Sequence, residues 1–166
     1  EPKESGKAPA MIVFCSWQQM PMLEAQAKKE GFNHCFPLFF IKKTSSQVLK
    51  ANMRIVGATE FAAVFYRNKL PKFNNDGHMV LDHMNWEVDP GYPKIHPTQK
   101  PIPVLKKLIN LFTDPGDVVI DPTAGSGSTL RAAAELKRNT YGFEVVKAIY
   151  EKAKKQMLSH AELSLV

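Results

Sequence analysis

The chain has 166 residues, is 44% hydrophobic and carries a formal net charge of +6. This length and composition predict one globular domain with a core and exclude a disordered or low-complexity chain. No apolar run is long enough to cross a bilayer and no secretion leader is recognisable, so the sequence predicts a soluble cytoplasmic protein.

The positive charge is concentrated between Lys42 and Lys72, where Glu60 is the single acid. A patch of this kind favours a phosphate backbone as the partner, because binding releases the counterions of the nucleic acid. A solvated face of a basic protein is the alternative. No grouping of His, Cys, Asp and Glu has a metal-ligand spacing, and no metal site is predicted.

The first half of the chain predicts strands around one helix. The apolar run "MIVFCS" predicts a buried strand, and "PMLEAQAKKEG" predicts a helix between a proline and a glycine. Two further strands are expected at residues 32–43 and 60–68, and Pro37 assigns the beginning of the former to a sheet edge or a bulge. Cys15 and Cys35 lie in these strands without C-x-x-C spacing, which favours buried reduced thiols.

Residues 68–95 show neither a helical nor a strand period and predict a long loop. Its aromatic residues, among them Trp86 and Tyr92, and its basic flanks make it the candidate for DNA recognition, since aromatic rings and cations suit bases and phosphates. A lid or a dimer contact is the alternative for this loop.

The second half predicts a helix opened by Pro101, the strand "DVVID", a helix from Ser128, the strand "TYGFE" and a closing amphipathic helix. The strand "DVVID" is continuously apolar, as in strands that a parallel sheet buries on both faces. A strand, a helix and a second strand in this order form a parallel unit. The expected fold class is therefore α/β with a doubly wound sheet.

The turn "DPTAGSGS", residues 121–128, joins the strand to the following helix. Gly125 and Gly127 allow the backbone to approach a ligand closely, and the helix after them offers free N–H groups. The turn lies at the carboxyl end of the strands, where open α/β sheets bind ligands. A tight structural turn without a ligand is the alternative.

Two phosphate-binding interpretations of this turn are disfavoured. A P-loop needs a lysine after its last glycine, and "AGSGSTL" has none. A nicotinamide site is weak because Leu130 replaces the third glycine and Asp121 would repel a pyrophosphate. An acid at that place would attract an amino group instead.

Glu144 ends the next strand, at a place where an acid accepts hydrogen bonds from ribose hydroxyls. The predicted pocket thus has a carboxylate that accepts hydrogen bonds from ribose, a glycine backbone that a nucleoside can approach closely, and a second carboxylate that attracts a cation. S-adenosylmethionine has all three matching features and is the predicted cofactor. The alternative is that Glu144 caps the helix that follows it.

The segments "HPTQKP", "DPTAGSGST" and "GFE", in this order, resemble the motifs of DNA amino-methyltransferases, which methylate N6 of adenine or N4 of cytosine. The resemblance implies a Rossmann-like doubly wound sheet of the S-adenosylmethionine-dependent methyltransferase type, mostly parallel with one antiparallel hairpin strand. It also implies double-stranded DNA with a flipped base as the substrate. A single methyltransferase domain over residues 1–166 is expected, with residues 68–95 as an inserted loop. Similar proteins occur in bacterial restriction-modification systems and in phages, often as dimers.

By the same resemblance, residues 121–128 form the first cofactor motif, Glu144 binds the ribose, and residues 96–101 close over the methionine end of the cofactor. Thr123 stands where the family usually has an aromatic residue. The predicted cofactor-binding residues are Asp121, Pro122, Thr123, Ala124, Gly125, Ser126, Gly127, Ser128, Glu144, His96, Thr98, Gln99 and Lys100.

The family holds the target amino group with a motif [DNS]-P-P-[YFW], which the 166 residues do not contain. The sequence "DPGY", residues 89–92, lacks the second proline and follows no apolar strand, so no catalytic residue is predicted. The order of the other motifs resembles the family's β arrangement, in which the catalytic motif lies N-terminal to both. We therefore expect that motif upstream of Glu1 and expect these residues to be incomplete as a catalyst.

The leading hypothesis is methyl transfer to N6 of adenine in DNA, with N4 of cytosine close behind. Methylation of RNA or protein on the same fold stays open. A non-catalytic module that binds cofactor or nucleic acid and needs a second chain also stays open. A nicotinamide dehydrogenase is a distant alternative. A C5-cytosine mechanism is rejected because Cys15 lies in an apolar strand and not in a loop.

Overall fold

The computed structural model describes residues 8–159, which fall into two compact units divided between Trp86 and Glu87. Each unit has its own sheet. Within the described part of the chain, no helix is long and apolar enough to cross a membrane.

The first unit is a four-stranded sheet with one helix. Its elements are β1 (Met11–Cys15), α1 (Met20–Lys29), β2 (His34–Ile41), β3 (Thr59–Tyr66) and β4 (His83–Asn85). The strands pair in the order β1, β3, β2, β4, and β3 runs antiparallel to both of its neighbours, whereas β4 runs parallel to β2. A short 3₁₀ turn, Val48–Lys50, interrupts the connection between β2 and β3.

The core of this unit is built on β3, the central strand. Ala63 and Phe65 are fully buried and pack with Ala27 of α1, because the strand presents these alternate residues to the helix. Phe40 of β2 is also fully buried and contacts the ring of Phe14 with the centroids 5.3 Å apart. Burial of two large aromatic side chains of this kind stabilises the folded state by roughly several kcal/mol, because their apolar surface is removed from water.

The second unit contains a parallel strand pair and the helices around it. Its elements are α2 (Ile102–Phe112), β5 (Val118–Asp121), α3 (Ser128–Glu135), β6 (Asn139–Gly142) and α4 (Lys147–Lys152), and a π-helical turn, Ala153–Met157, follows α4. β5 and β6 pair in parallel, α3 packs against both strands, and α2 packs against α3. The predicted strand, helix, strand unit is confirmed.

Arg138 joins the end of α2 to the start of β6. Its side chain is buried and its guanidinium donates hydrogen bonds to the Thr113 side chain at 2.9 Å, the Thr113 carbonyl at 2.7 Å and the Leu136 carbonyl at 2.6 Å. Burial lowers the pKa of this guanidinium, and these acceptors compensate the desolvated charge.

Three details of the sequence-based expectation differ from the structure. The sheet pairing is less parallel than expected, because the one antiparallel strand, β3, lies between β1 and β2 and makes both of those pairings antiparallel. The strand "DVVID" was expected to be buried on both faces, but Val118 and Ile120 are 52% and 63% exposed. This expectation was wrong because α3 covers only the opposite face of β5 among the described residues.

The third detail lies within residues 68–95, expected to be a loop throughout, where β4 forms a short parallel pair with Phe39, Phe40 and Ile41. Pro37 lies before that pairing begins, on the part of β2 that pairs with β3 alone, as its sequence position predicted. β4 therefore supplies the last residues of β2 with a second partner.

Gly142 of β6 lies where a larger residue would collide with α3. A Cβ atom at this position would lie 2.6 Å from Leu130 and 3.1 Å from the Cβ of Ala124. We expect Gly142→Ala to lower the free energy of unfolding by about 1–2 kcal/mol through overpacking. The matched control is Gly57→Ala, since a Cβ there would meet nothing within 4 Å. Urea unfolding of both variants checks this, and equal stabilities would contradict the close approach.

Candidate functional site

The glycine turn is tied to the end of β6 by backbone hydrogen bonds. The Ala124 N–H donates to the Phe143 carbonyl at 2.8 Å, and the Phe143 N–H donates to the Asp121 carbonyl at 3.1 Å. Gly125 and Gly127 have φ angles of +52° and +77°, in the left-handed region that side chains disfavour. These two glycines therefore allow the turn to sit directly at the carboxyl ends of β5 and β6.

The start of α3 offers backbone groups rather than side chains. Gly127 is the N-terminal cap, and among residues 8–159 no side-chain hydrogen bond caps the helix at this position. The hydroxyls of Ser126 and Ser128 are buried and hydrogen-bond to each other at 2.8 Å. A ligand at this turn would thus meet the free N–H groups of the first helical turn, which favour anionic or electron-rich atoms.

The first residues of the turn lie at the lip of β5. The half-buried Asp121 carboxylate accepts a hydrogen bond from the Thr123 N–H at 3.0 Å through one oxygen. Pro122 and Thr123 are exposed. Because a carboxylate has about four acceptor positions, Asp121 keeps the capacity to bind an amino group.

Glu144 connects the glycine turn to the segment after β6. One of its oxygens accepts from the Gly125 N–H at 3.0 Å, and the other accepts from the Val146 N–H at 2.7 Å. The side chain is half-buried, and its position is fixed from both sides by backbone. Each oxygen retains a lone pair, so the pair could accept hydrogen bonds from two neighbouring hydroxyls.

The segment "HPTQKP", residues 96–101, is held in shape by its own hydrogen bonds. The Thr98 hydroxyl lies 2.9 Å from Nδ1 of His96, and the Gln99 N–H donates to the His96 carbonyl at 3.2 Å. The Gln99 side chain donates to the Pro93 carbonyl at 2.9 Å and accepts from the Ile95 N–H at 3.0 Å. Lys100 is half-buried at the end of the segment.

The structure places both predicted motifs in the second unit. "HPTQKP" runs directly into α2, the glycine turn runs directly into α3, and these two helices pack together. Glu144 is in direct contact with the glycine turn, as described above. The roles assigned to these residues in cofactor binding stay predictions.

A group of polar side chains between α2 and α3 was missed from the sequence; we call it the Tyr92 cluster, consisting of Tyr92, Lys106, Arg131 and Glu135. The Tyr92 hydroxyl donates to Glu135 at 2.7 Å and accepts from Lys106 at 3.1 Å. Lys106 and Arg131 form ion pairs with Glu135. The spacing of Arg131 and Glu135 on one helix could have predicted their pair, but no local signal connects Tyr92 to them.

The charges of this cluster shift its pKa values. Burial alone would raise the pKa of Glu135, but hydrogen bonds from Lys106, Tyr92 and Arg131 outweigh it and lower the pKa to about 2. The hydrogen bond to Glu135 raises the pKa of Lys106 despite the opposing effect of burial. Burial and the Glu135 hydrogen bond raise the pKa of Tyr92. At neutral pH Glu135 is therefore ionised and Lys106 is protonated, whereas Tyr92 keeps its hydroxyl proton.

The two cysteines are free and half-buried in the first unit. Burial raises the pKa of both thiols, which opposes formation of the nucleophilic thiolate. This is consistent with the exclusion of a cysteine nucleophile.

A sequence model of the DNA methylase family, covering enzymes of the N6 and N4 type, matches residues 7–155. The chain belongs to this family. The resemblance deduced from the motifs is thereby confirmed.

Individual relatives agree with this family. YubD of Escherichia coli K12, a candidate methylase by its name, is 30% identical over 161 residues, which cover 93% of this chain and 64% of YubD. The type II methyltransferase M.HindIII of Haemophilus influenzae is 48% identical over 62 residues, covering 37% of this chain and 19% of that protein. The chain thus spans less than two thirds of the length of these relatives.

Solved structures of DNA methyltransferases share the fold. The M1.HpyAVI complex with S-adenosylmethionine has a TM-score of 0.77 and 29% identity, covering 89% of this chain and 74% of that one. The cytosine-N4-specific PvuII methyltransferase has a TM-score of 0.73 at 15% identity, covering 87% of this chain and 62% of that one. The expected α/β fold of the S-adenosylmethionine-dependent methyltransferases is confirmed.

Proposed function

We propose that this chain binds S-adenosylmethionine at the glycine turn and takes part in methyl transfer to an exocyclic amino group of DNA. The preferred target is N6 of adenine in a base flipped out of the duplex, and the alternative is N4 of cytosine. Family membership and the fold support methyl transfer, and neither distinguishes the two bases.

The single observation that carries the proposal is the position of Glu144. Its carboxylate lies against the backbone of Gly125, in the turn that two left-handed glycines hold at the strand ends. A carboxylate in that place accepts hydrogen bonds from ribose hydroxyls, and Asp121 at the lip of the turn suits the amino group of the methionine part. The S-adenosylmethionine in the M1.HpyAVI complex, at 29% identity, supports the same ligand here.

The proposed reaction is a direct displacement. The amine lone pair attacks the sulfonium methyl carbon, the carbon–sulfur bond breaks, S-adenosylhomocysteine leaves and the amine loses one proton. The described site aligns the methyl donor, S-adenosylmethionine. This alignment supplies the entropic part of catalysis. Because no [DNS]-P-P-[YFW] motif occurs in the 166 residues, we assign binding of the target base to none of them.

DNA as the partner is supported by the connection between β2 and β3, residues 42–58, which we call the basic arm. Lys43, Lys50 and Arg54 are exposed on it, whereas Lys42 forms an ion pair with Glu60. No acidic residue lies within the arm. Such a surface is complementary to a phosphate backbone.

The basic arm leads to a prediction about salt dependence. Lys50→Gln combined with Arg54→Gln should weaken duplex DNA binding and reduce the slope of log K against log salt by about 0.9 per lost phosphate contact. The matched control is Lys28→Gln with Lys29→Gln, a charge loss of equal size on α1. Fluorescence anisotropy at several salt concentrations gives both slopes. An equal change of slope in the control would show that DNA binding depends on the net charge of the protein and not on the position of these charges in the basic arm.

The function is tested by calorimetric binding of S-adenosylmethionine and by incubation with labelled cofactor and duplex DNA. The expected result is saturable cofactor binding, and wherever methyl transfer also occurs, the label should be found on N6-methyladenine after digestion of the DNA. Label on N4-methylcytosine would select the alternative base. Cofactor binding with DNA binding but without methyl transfer would favour the non-catalytic module. Absence of cofactor binding would overturn the proposal.

A further inference from the structure

Tyr92 lies shortly before "HPTQKP", and both the hydroxyl and the ring of its side chain contact residues of α2 and α3. Its hydroxyl bridges Glu135 of α3 and Lys106 of α2, as described for the Tyr92 cluster. Its ring faces the cations of Arg131 and Lys106, at 5.9 Å and 5.7 Å from the ring centre. A contact made of a charge-assisted hydrogen bond and two cation–π contacts is stronger than an ordinary surface contact.

The other end of the same segment is also fixed. Pro101 and Ile102 are buried where α2 begins, and α2 packs against α3. "HPTQKP" is thus the connection between two anchors, Tyr92 and the start of α2, and both rest on α3. Within the connection, Gln99 braces the backbone of Pro93 and Ile95.

From this arrangement we infer that Tyr92 is a positioning residue, which holds "HPTQKP" over the methionine end of the cofactor by anchoring it to the helix that begins at the glycine turn. The inference rests on the proposed function and assigns one task within that site. The same α3 carries the glycine turn at its first residue and the Tyr92 anchor at Arg131 and Glu135. Loss of the anchor leaves the segment fixed at α2 alone, so it has to be ordered when the ligand binds.

This role makes a prediction that a merely structural role does not make. S-adenosylmethionine and S-adenosylhomocysteine carry the amino-acid end that "HPTQKP" would contact. 5′-Methylthioadenosine carries the nucleoside and the thioether but lacks that end. A positioning effect should therefore appear for the first two ligands and be absent for the third.

The experiment compares Tyr92→Phe with the unaltered chain by calorimetry for all three ligands. Tyr92→Phe keeps the ring and removes the hydroxyl, which hydrogen-bonds to Glu135 and Lys106. We expect about tenfold weaker binding of S-adenosylmethionine and S-adenosylhomocysteine, the size of one hydrogen bond to an ionised group. Binding of 5′-methylthioadenosine should be unchanged. The matched control is Tyr150→Phe, on the exposed side of α4, which should change none of the three affinities.

Thermal unfolding and hydrogen exchange of residues 93–100 accompany the binding measurements. Faster exchange in that segment of Tyr92→Phe, with α2 and α3 still protected, is the expected structural counterpart. Unchanged affinities, or equal losses for all three ligands, would overturn the inference while the proposed function stands. If the unaltered chain bound none of the ligands, the proposed function would fail, and the inference with it.

Discussion

Glu144→Ala is expected to weaken S-adenosylmethionine binding about 100-fold. The loss corresponds to two hydrogen bonds from ribose hydroxyls to an ionised group, each contributing roughly 1.5 kcal/mol or more. The substitution also frees the N–H groups of Gly125 and Val146, which Glu144 holds at 3.0 Å and 2.7 Å. Calorimetry measures the loss, and Glu151→Ala, an acid-to-alanine change on α4, is the matched control.

The ribose contact is separated from this structural effect by a second ligand. A 2′-deoxy analogue of S-adenosylhomocysteine should bind the unaltered chain more weakly than the parent compound. Glu144→Ala should bind the two compounds equally, because the partner of the missing hydroxyl is gone. If the variant still distinguished them, Glu144 would have only the helix-capping role that the sequence leaves open.

The glycine turn and the strand pairing of the second unit could be predicted from the sequence, because the signals for both lie in neighbouring residues. Gly125 and Gly127 adopt the left-handed angles that only glycine accepts easily, and the parallel pairing of β5 and β6 follows from one strand, helix, strand unit. The contact of Glu144 with the turn follows from the same geometry, because neighbouring parallel strands end at one edge.

The features that the sequence did not predict depend on distant partners. β4 is three residues long and exists because β2 offers it an edge, and so short a segment has no period of its own. The exposure of Val118 and Ile120 depends on which face α3 covers, whereas an apolar run indicates only that burial is favourable.

Tyr92 illustrates the same limit within the candidate site. In the sequence it is the last residue of "DPGY", an incomplete match to the family's base-binding motif. In the structure its hydroxyl is committed to Glu135 and Lys106, which are far from it in the chain. No local pattern could have predicted this contact, and the interpretation of "DPGY" as unrelated to the base stays a prediction.

The Tyr92 cluster should also make the stability of the second unit sensitive to acid. The pKa of Glu135 falls from an ordinary value of 4.5 to about 2 in the folded protein, and its side chain is 22% exposed. A carboxyl group with a lowered pKa stabilises the folded state above its unfolded pKa, and this contribution is lost as pH falls through the folded pKa. The shift corresponds to about 3 kcal/mol at neutral pH, lost progressively between about pH 4.5 and pH 2.

Urea unfolding between pH 7 and pH 2.5 measures this contribution as the difference between the unaltered chain and Glu135→Gln. The variant should be less stable at pH 7, and the difference should shrink as pH falls below 4.5, because the carboxyl of the unfolded chain then takes up a proton and this favours unfolding of the unaltered chain. Glu24→Gln removes a carboxylate from an exposed ion pair with Lys28 and should cost less than about 1 kcal/mol. A difference between the unaltered chain and Glu135→Gln that stayed constant down to pH 2.5 would mean that Glu135 acts through packing. A shrinking difference would show that the charge of Glu135, which Lys106, Tyr92 and Arg131 stabilise, contributes to folding.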